Sequence, residues 1–234
     1  MDILVFSAHP DDAELGCGGT IAKEVAQGAK VGIIDLTQGE MGTRGTPEIR
    51  AKESEDAARI LGLEVRENLG LRDGHITDDI KSQELVASAI RRHRPRLIIC
   101  NAPKDRHPDH GHASELVVDA AFKAGLAKWD IPGCDATAYR PDALYHYIQF
   151  YDLQPDVIVD ITGFEEVKME AIKAHASQFY SPNSTEPETL IASKGFLDAI
   201  EHRSAEWGRA IGVQHAEGFL VERTVGSSTL SALL

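Results

Sequence analysis

The chain is poor in cysteine, with only Cys17, Cys100 and Cys134, which form no C-x-x-C pair. Such few, scattered thiols exclude a disulfide framework and favour a reducing compartment. The sequence also lacks any run of the roughly 20 apolar residues that a membrane span needs. Its N-terminus, MDILVFSAHP, has no basic segment of the kind that begins a signal peptide. We therefore expect a cytoplasmic protein with no membrane partner.

Positive charge is the second shortage. The 24 lysines and arginines face 37 acidic residues, which gives a formal net charge of -13. Nucleic-acid binding needs a basic face for the phosphates, so no nucleic-acid partner is expected. The balance does not exclude a small anionic substrate, because one local arginine can bind it.

Strand and helix patterns alternate along the 234 residues, 42% of which are hydrophobic. The predicted strands are Ile3–Ala8, Lys30–Leu36, Val65–Leu69, Leu97–Cys100, Ala143–Gln149, Asp156–Ile161 and Gly218–Val221. The predicted helices are Thr20–Gln27, Glu48–Leu61, Ser82–His93, His112–Ala124, Glu165–His175 and Thr189–Arg209. This rhythm predicts an α/β fold with a mainly parallel sheet and helices on both faces. No linker divides the chain, so we expect one domain over residues 1–234.

Two charged loops follow buried strands of this sheet. The first, AHPDDAE, offers His9, Asp11, Asp12 and Glu14, and the second, RHPDHGH, offers His107, Asp109, His110 and His112. Carboxyl ends of parallel strands meet at one sheet edge, where ligands bind in open α/β folds. Imidazole and carboxylate groups suit zinc, and a catalytic zinc site typically has three protein ligands and a water.

Each loop also has a structural interpretation, because adjacent aspartates often cap helices and a single histidine is commonly structural. Capping does not require histidine in both loops, however. The pairing of the two loops therefore favours a metal site, with zinc ahead of iron or manganese on ligand type.

The segments AHPDDAELGCGG and RHPDHGH, with the Arg50 segment, resemble the LmbE-like family of zinc-dependent N-acetylglucosaminyl deacetylases, related to the PIG-L enzymes. The similarity extends over nearly the whole chain. Its nearest subgroup is the bacillithiol biosynthesis deacetylases. The resemblance implies a Rossmann-like α/β domain, a Zn²⁺ cofactor (Fe²⁺ is the alternative) and a homo-oligomer, often a hexamer in this family.

Carried onto this chain, the resemblance implies particular roles for site residues. It implies that the metal ligands are His9, Asp12 and His110; that Asp11 is the general base; that His107 lies beside the substrate carbonyl and Asp109 orients it or stabilises its charge; and that Arg50 and Arg106 bind substrate. From the residues alone, Arg50 reads rather as a surface residue paired with Glu53. Some family members use a tyrosine from the C-terminal region. In this chain Phe196 lies near that position, and the nearby Tyr180 has no supporting motif.

The leading function is therefore removal of acetyl from an N-acetylglucosamine conjugate, with N-acetylglucosaminyl-malate as the substrate. Another N-acetylated sugar, such as a chitooligosaccharide or a mycothiol-type precursor, is the enzymatic alternative. A non-catalytic metal- or sugar-binding module is the alternative from another class. A nucleotide-dependent oxidoreductase is disfavoured, because GCGG departs from the G-x-G-x-x-G pattern.

Overall fold

A computed structural model describes residues 1–182 and 184–229. Within them, seven strands form one sheet in the order β3-β2-β1-β4-β5-β7-β6. The strands are β1 Ile3–Ser7, β2 Val31–Thr37, β3 Val65–Leu71, β4 Leu97–Asn101, β5 Ala143–Tyr147, β6 Val157–Asp160 and β7 Ala216–Val221. Strands β1 to β5 pair in parallel. The predicted α/β fold with a mainly parallel sheet is confirmed.

Six helices connect the strands in the described part of the chain. They are α1 Asp12–Ala26, α2 Pro47–Leu61, α3 Ile80–His93, α4 Pro108–Ala124, α5 Glu165–Ala174 and α6 Lys194–Ile211. Helix starts follow local chemistry: Thr46 and Asp79 accept hydrogen bonds from the amides of Ile49 and Ser82, at the starts of α2 and α3. Among the described residues, no helix combines the length and apolar composition that crossing a bilayer requires.

Both faces of β1 are buried, which explains its unbroken apolar sequence. Leu4 and Phe6 pack into a cluster that contains residues of α3 and α4. Ile3 and Val5 point the other way, into a cluster that contains residues of α1 and α5. Successive side chains of a strand alternate between faces, so a strand covered on both sides is apolar throughout.

The sheet departs from parallel pairing at its far edge. Strand β7 lies between β5 and β6 and is antiparallel to both. Helix α1 also differs from its prediction, since it begins at Asp12 and is kinked at Cys17, whose φ of -145° and ψ of 21° are not helical. Gly16 lies just before the kink, and a Cβ there would collide with the ring of Tyr147. Only glycine allows this close approach of helix and strand.

A buried carboxylate from β7 stabilises the helix beyond the kink. Glu217 accepts hydrogen bonds from the amides of Gly19 (3.0 Å) and Thr20 (2.7 Å) and from Lys168 Nζ (2.6 Å). The amides after a kink lack helical acceptors, and a carboxylate there also complements the helix dipole. The last strand thus supports the first helix, at whose start the charged AHPDDAE loop lies.

Candidate metal centre and its surroundings

The carboxylate of Asp12 connects the two charged loops. Its Oδ1 lies 3.2 Å from His110 Nε2, and its Oδ2 lies 3.4 Å from His9 Nδ1. With bonds of about 2.0–2.1 Å, neighbouring ligand atoms of a tetrahedral zinc site are roughly 3.3 Å apart. Each of the two distances is therefore close to that between neighbouring ligand atoms of a small divalent cation, with a different oxygen of Asp12 facing each histidine.

His107 lies against the same group. One ring nitrogen from each of His9, His107 and His110 lies within 4.8 Å of the other two. The His107 ring is 4.6 Å from that of His9 and 5.4 Å from that of His110, centroid to centroid. Geometry alone thus offers either Asp12 or His107 as the third ligand beside the two other histidines. A half-exposed ring such as that of His107 is also well placed to face a bound substrate.

The ring nitrogens of His9 and His110 that do not face Asp12 contact other carboxylates. Two of these acids, Asp73 and Asp105, were assigned no role from the sequence. Asp105 Oδ2 lies 2.8 Å from His110 Nδ1, and Asp73 Oδ1 lies 3.0 Å from His9 Nε2. Such carboxylates fix the ring orientation of a metal-binding histidine and raise its basicity. Asp105 could have been identified from the sequence as a partner of His110, because it lies only five residues before it. Asp73 follows β3, in a loop without a recognisable motif.

Two amide side chains hold Asp12 in place. Gln149 Nε2 donates to Asp12 Oδ1 at 2.7 Å, and Asn101 Nδ2 donates to Oδ2 at 3.2 Å. They come from the carboxyl ends of β5 and β4. Neither residue was singled out from the sequence, since a lone amide carries no pattern.

Nearby carboxylates outweigh burial in setting the pKa values of the His9 and His110 rings. Against the effect of burial, Asp12 and Asp105 raise the pKa of His110 to about 9. Burial also lowers the pKa of His9. The carboxylates of Asp109, Asp12 and Asp73 outweigh this effect and raise the pKa above its ordinary value. Metal ions and protons compete for the same nitrogens, and carboxylates nearby attract both. The donor set therefore fits a bound cation.

Asp11 is held apart from Asp12 by an unusual backbone and a buried ion pair. Its φ of 122° is rare for a residue other than glycine, and strain of this kind costs about 1–3 kcal/mol and clusters at functional sites. The carboxylate accepts from Arg50 Nη2 at 3.0 Å. Burial, only partly offset by the Arg50 guanidinium, raises the pKa of Asp11 to about 6, and the charge of Asp12 adds to the increase.

Arg50 is buried within the protein. Besides Asp11, its guanidinium donates to the carbonyls of Pro10 (2.6 Å) and Gly39 (3.0 Å). Three of its five N–H donors are thus engaged by the chain itself. The alternative pairing with Glu53 is wrong, because Glu53 instead accepts from the amide and hydroxyl of Ser177.

Asp109 and Arg106 lie beside the cluster in different ways. The carboxylate of Asp109 accepts from the Gly74 amide at 2.7 Å and lies 3.4 Å from His9 Nε2. Its contact with His107 runs through the backbone, where the Asp109 amide donates to Nδ1 at 3.2 Å. Arg106 is exposed, with its guanidinium carbon 5.0 Å from the centre of the Phe150 ring.

Other residues that the sequence drew attention to lie elsewhere. Glu14 is fully buried and forms an ion pair with Arg66, so it does more than complement a helix dipole. Phe196 stacks on Phe150, with ring centroids 6.4 Å apart. Tyr180 is 42% exposed and His112 is exposed as well.

The family described as PIG-L, GlcNAc-PI de-N-acetylase, matches residues 4–121. Diacetylchitobiose deacetylase of Thermococcus kodakarensis is 32% identical over 191 residues, 76% of this chain and 70% of that protein. The probable N-acetyl-alpha-D-glucosaminyl L-malate deacetylase 2 of Bacillus subtilis is 31% identical over 192 residues, 75% of this chain and 82% of that protein.

Among solved structures, that of a conserved protein from Thermus thermophilus is similar to this one. It superposes with a TM-score of 0.87 at 41% identity, covering 97% of both chains. The family match includes both charged loops and, apart from Ile3, the strands from β1 to β4. By sequence and by fold, the chain belongs to the PIG-L family.

Proposed function

We propose that this protein is a metal-dependent amide hydrolase that removes the acetyl group from an N-acetylglucosamine conjugate. The observation that carries the proposal is the contact of Asp12 with both His9 and His110, with Asp11 held beside them by Arg50. Binding a metal alone needs no additional carboxylate in a strained conformation. A base next to a cation site is what hydrolysis of an amide requires.

Zinc is the proposed metal, held by His9, Asp12 and His110, with Fe²⁺ as the alternative that the same ligands accept. A divalent cation bound there would polarise a carbonyl oxygen and lower the pKa of a bound water towards neutrality. Asp105 and Asp73 keep the two imidazoles oriented for it.

The proposed steps use Asp11 and His107. Asp11 accepts a proton from the attacking water as it adds to the acetyl carbon. His107 donates a hydrogen bond to the oxyanion of the tetrahedral intermediate, an interaction worth about 2.7–4 kcal/mol for a well-placed donor. Asp109, whose amide contacts His107, positions that ring. The departing amine receives its proton from Asp11 or from His107.

The substrate is proposed to be N-acetylglucosaminyl-malate. The support is the similarity over three quarters of the chain to a probable malate-conjugate deacetylase. Diacetylchitobiose is the second candidate, because a deacetylase of that sugar is similar at the same level. The two differ in charge: malate contributes two carboxylates, whereas chitobiose is neutral.

Activity of metal-defined protein tests the proposal. The protein is stripped with a chelator, reloaded with Zn²⁺ or Fe²⁺, and assayed for acetate release from the malate conjugate, diacetylchitobiose and N-acetylglucosamine. Asp11→Asn should retain the metal but lose about 10²–10⁴-fold in kcat. Asp142→Asn, an exposed aspartate paired with Arg96, is the matched control and should retain full activity.

Two results would contradict the proposal. Absence of acetate release from all three sugars by the metal-loaded wild type would favour the non-catalytic binding module. Full activity of folded, metal-loaded Asp11→Asn would remove Asp11 as the base. Homo-oligomeric assembly and a cytoplasmic location stay predictions, which sedimentation velocity and cell fractionation test.

A further inference from the structure

A buried arginine in the loop after β2 has no acidic partner among the described residues. Arg44 is 4% exposed and lies in the loop that follows β2. Across residues 1–182 and 184–229, its guanidinium makes one hydrogen bond, to the neutral hydroxyl of Ser184, and no ion pair. Its Nε is buried without any partner there. Buried charges in proteins are usually paired, so a buried Arg44 without an acidic partner suits the binding of an anion.

The surroundings fix Arg44 rather than leave it free to move into water. Its carbonyl accepts from Gln178 Nε2 at 2.8 Å. The next residue, Gly45, has a φ of +73°, and a Cβ there would be 2.7 Å from Ser177 Oγ. The loop and the segment before Ser184 therefore pack closely. A cation whose position is fixed in this way is preorganised to bind a ligand.

The loop of Arg44 is also tied to the metal centre. Three residues earlier, the Met41 amide donates to Asp73 Oδ2 at 2.8 Å. The other oxygen of Asp73 lies 3.0 Å from His9 Nε2. The loop that carries Arg44 is thus connected to the candidate ligand His9 through Asp73.

A second arginine, Arg106, lies on the other side of the loop that carries His9 and Asp12. Arg106 follows β4, is exposed over Phe150, and forms no ion pair within the described part of the chain. In the sheet, β1 lies between β2 and β4. The loop with His9 and Asp12 therefore lies between the two loops that carry Arg44 and Arg106.

We propose that Arg44 forms a carboxylate-binding subsite for the non-sugar part of the substrate, with Arg106 as the second cation. The inference rests on the proposed function and deepens it, since it specifies an anionic conjugate rather than a neutral oligosaccharide. It also moves recognition from Arg50, three of whose donors are engaged by Asp11 and the backbone, to Arg44. A planar guanidinium suits a carboxylate, which accepts two parallel hydrogen bonds.

Comparison of charged and neutral substrates tests the subsite. Arg44→Gln should lower kcat/KM for N-acetylglucosaminyl-malate about 10- to 100-fold, the loss expected when a hydrogen bond to a charged group is removed. The rate with diacetylchitobiose should stay within about twofold of wild type. Arg44→Lys, which keeps the charge, should recover part of the loss. Lys52→Gln, an exposed residue of α2, is the matched control.

A binding measurement separates this inference from the hydrolytic proposal. L-malate should raise the melting temperature of the wild type, and Arg44→Gln should abolish the increase, whether or not any sugar is hydrolysed. Without ligand, Arg44→Gln should melt no lower than wild type, because an uncompensated buried charge has been removed. A purely structural arginine would instead lower the melting temperature when replaced.

Three results would overturn the subsite. They are an equal loss of kcat/KM on the charged and neutral sugars, stabilisation of Arg44→Gln by malate to the wild-type extent, or stabilisation of the wild type by orthophosphate but not by malate. Should no sugar be hydrolysed while malate still stabilises only proteins with a cation at position 44, the proposed function fails and the carboxylate site stands.

Discussion

Arg50 Nη2 and Asp11 Oδ2 lie 3.0 Å apart, and both side chains are less than a tenth exposed. The guanidinium is therefore placed to orient the proposed base. Arg50→Gln should reduce kcat about 10²-fold, the scale expected when a catalytic group is misplaced by about 1 Å. KM should change little. Steady-state kinetics on the preferred sugar measures both, with circular dichroism to confirm folding. A large rise in KM at constant kcat would instead support Arg50 as a sugar-binding residue.

Asp105 should control metal affinity without touching the metal. Asp105→Asn keeps the shape of the side chain but removes the charge that faces His110 Nδ1 at 2.8 Å. Loss of such a carboxylate typically weakens metal binding about 10–100-fold. Titration with Zn²⁺ against a competing chelator measures the dissociation constant, and Asp119→Asn, on the outer side of α4, serves as control. An unchanged dissociation constant would show that Asp105 does not support the ligand.

Arg66 should be essential for stability. It is buried between two carboxylates, as an ion pair with Glu14 and at 2.9 Å from Asp35 Oδ2. Arg66→Met removes the cation shared by the two buried acids and should cost about 3–5 kcal/mol in the free energy of unfolding. Arg59→Met, at a side chain that is 74% exposed, should change it by less than about 0.5 kcal/mol. Urea denaturation measures both, and similar values for the two variants would contradict the argument.

Cys17 should be inert although it lies at the kink of α1. Complete burial raises the pKa of its thiol well above the ordinary value, so the reactive thiolate stays scarce even in mildly alkaline buffer. Iodoacetamide in such a buffer should label the half-buried Cys134 but not Cys17 or Cys100 in the folded protein. In urea all three should react. Peptide mass spectrometry counts the labels, and rapid native labelling of Cys17 would disprove the burial argument.

Much of the fold was predictable because the chain signals it locally. Largely apolar runs identified β1, β2 and β4, and Gly62 and Pro95 marked where α2 and α3 end. The strand β7 was predicted over Gly218–Val221, but its antiparallel direction was not predictable, because pairing direction depends on distant strands and leaves no local pattern. The early start of α1 was missed since AHPDDAE reads as a loop, and the kink at Cys17 interrupts the helical period.

At the site, the sequence identified groups that carry charge in a motif, and the structure supplied their partners. His9, Asp12 and His110 meet at one sheet edge, as strand topology required. Asp73 and Gln149 reach the same place from loops with no pattern of their own. Burial of Arg50 could not be foreseen, because α2 shows alternating charges that are typical of an exposed helix.

The hydrogen bonds from Gly19 and Thr20 to Glu217 connect positions 198 and 197 residues apart. During synthesis, the first helix is made long before its carboxylate cap emerges from the ribosome. A nascent chain can assemble β1 to β4 early, yet its AHPDDAE loop gains this support only when nearly the whole polypeptide has been translated. A C-terminal truncation that removes β7 would therefore also destabilise the AHPDDAE loop, near the other end of the polypeptide.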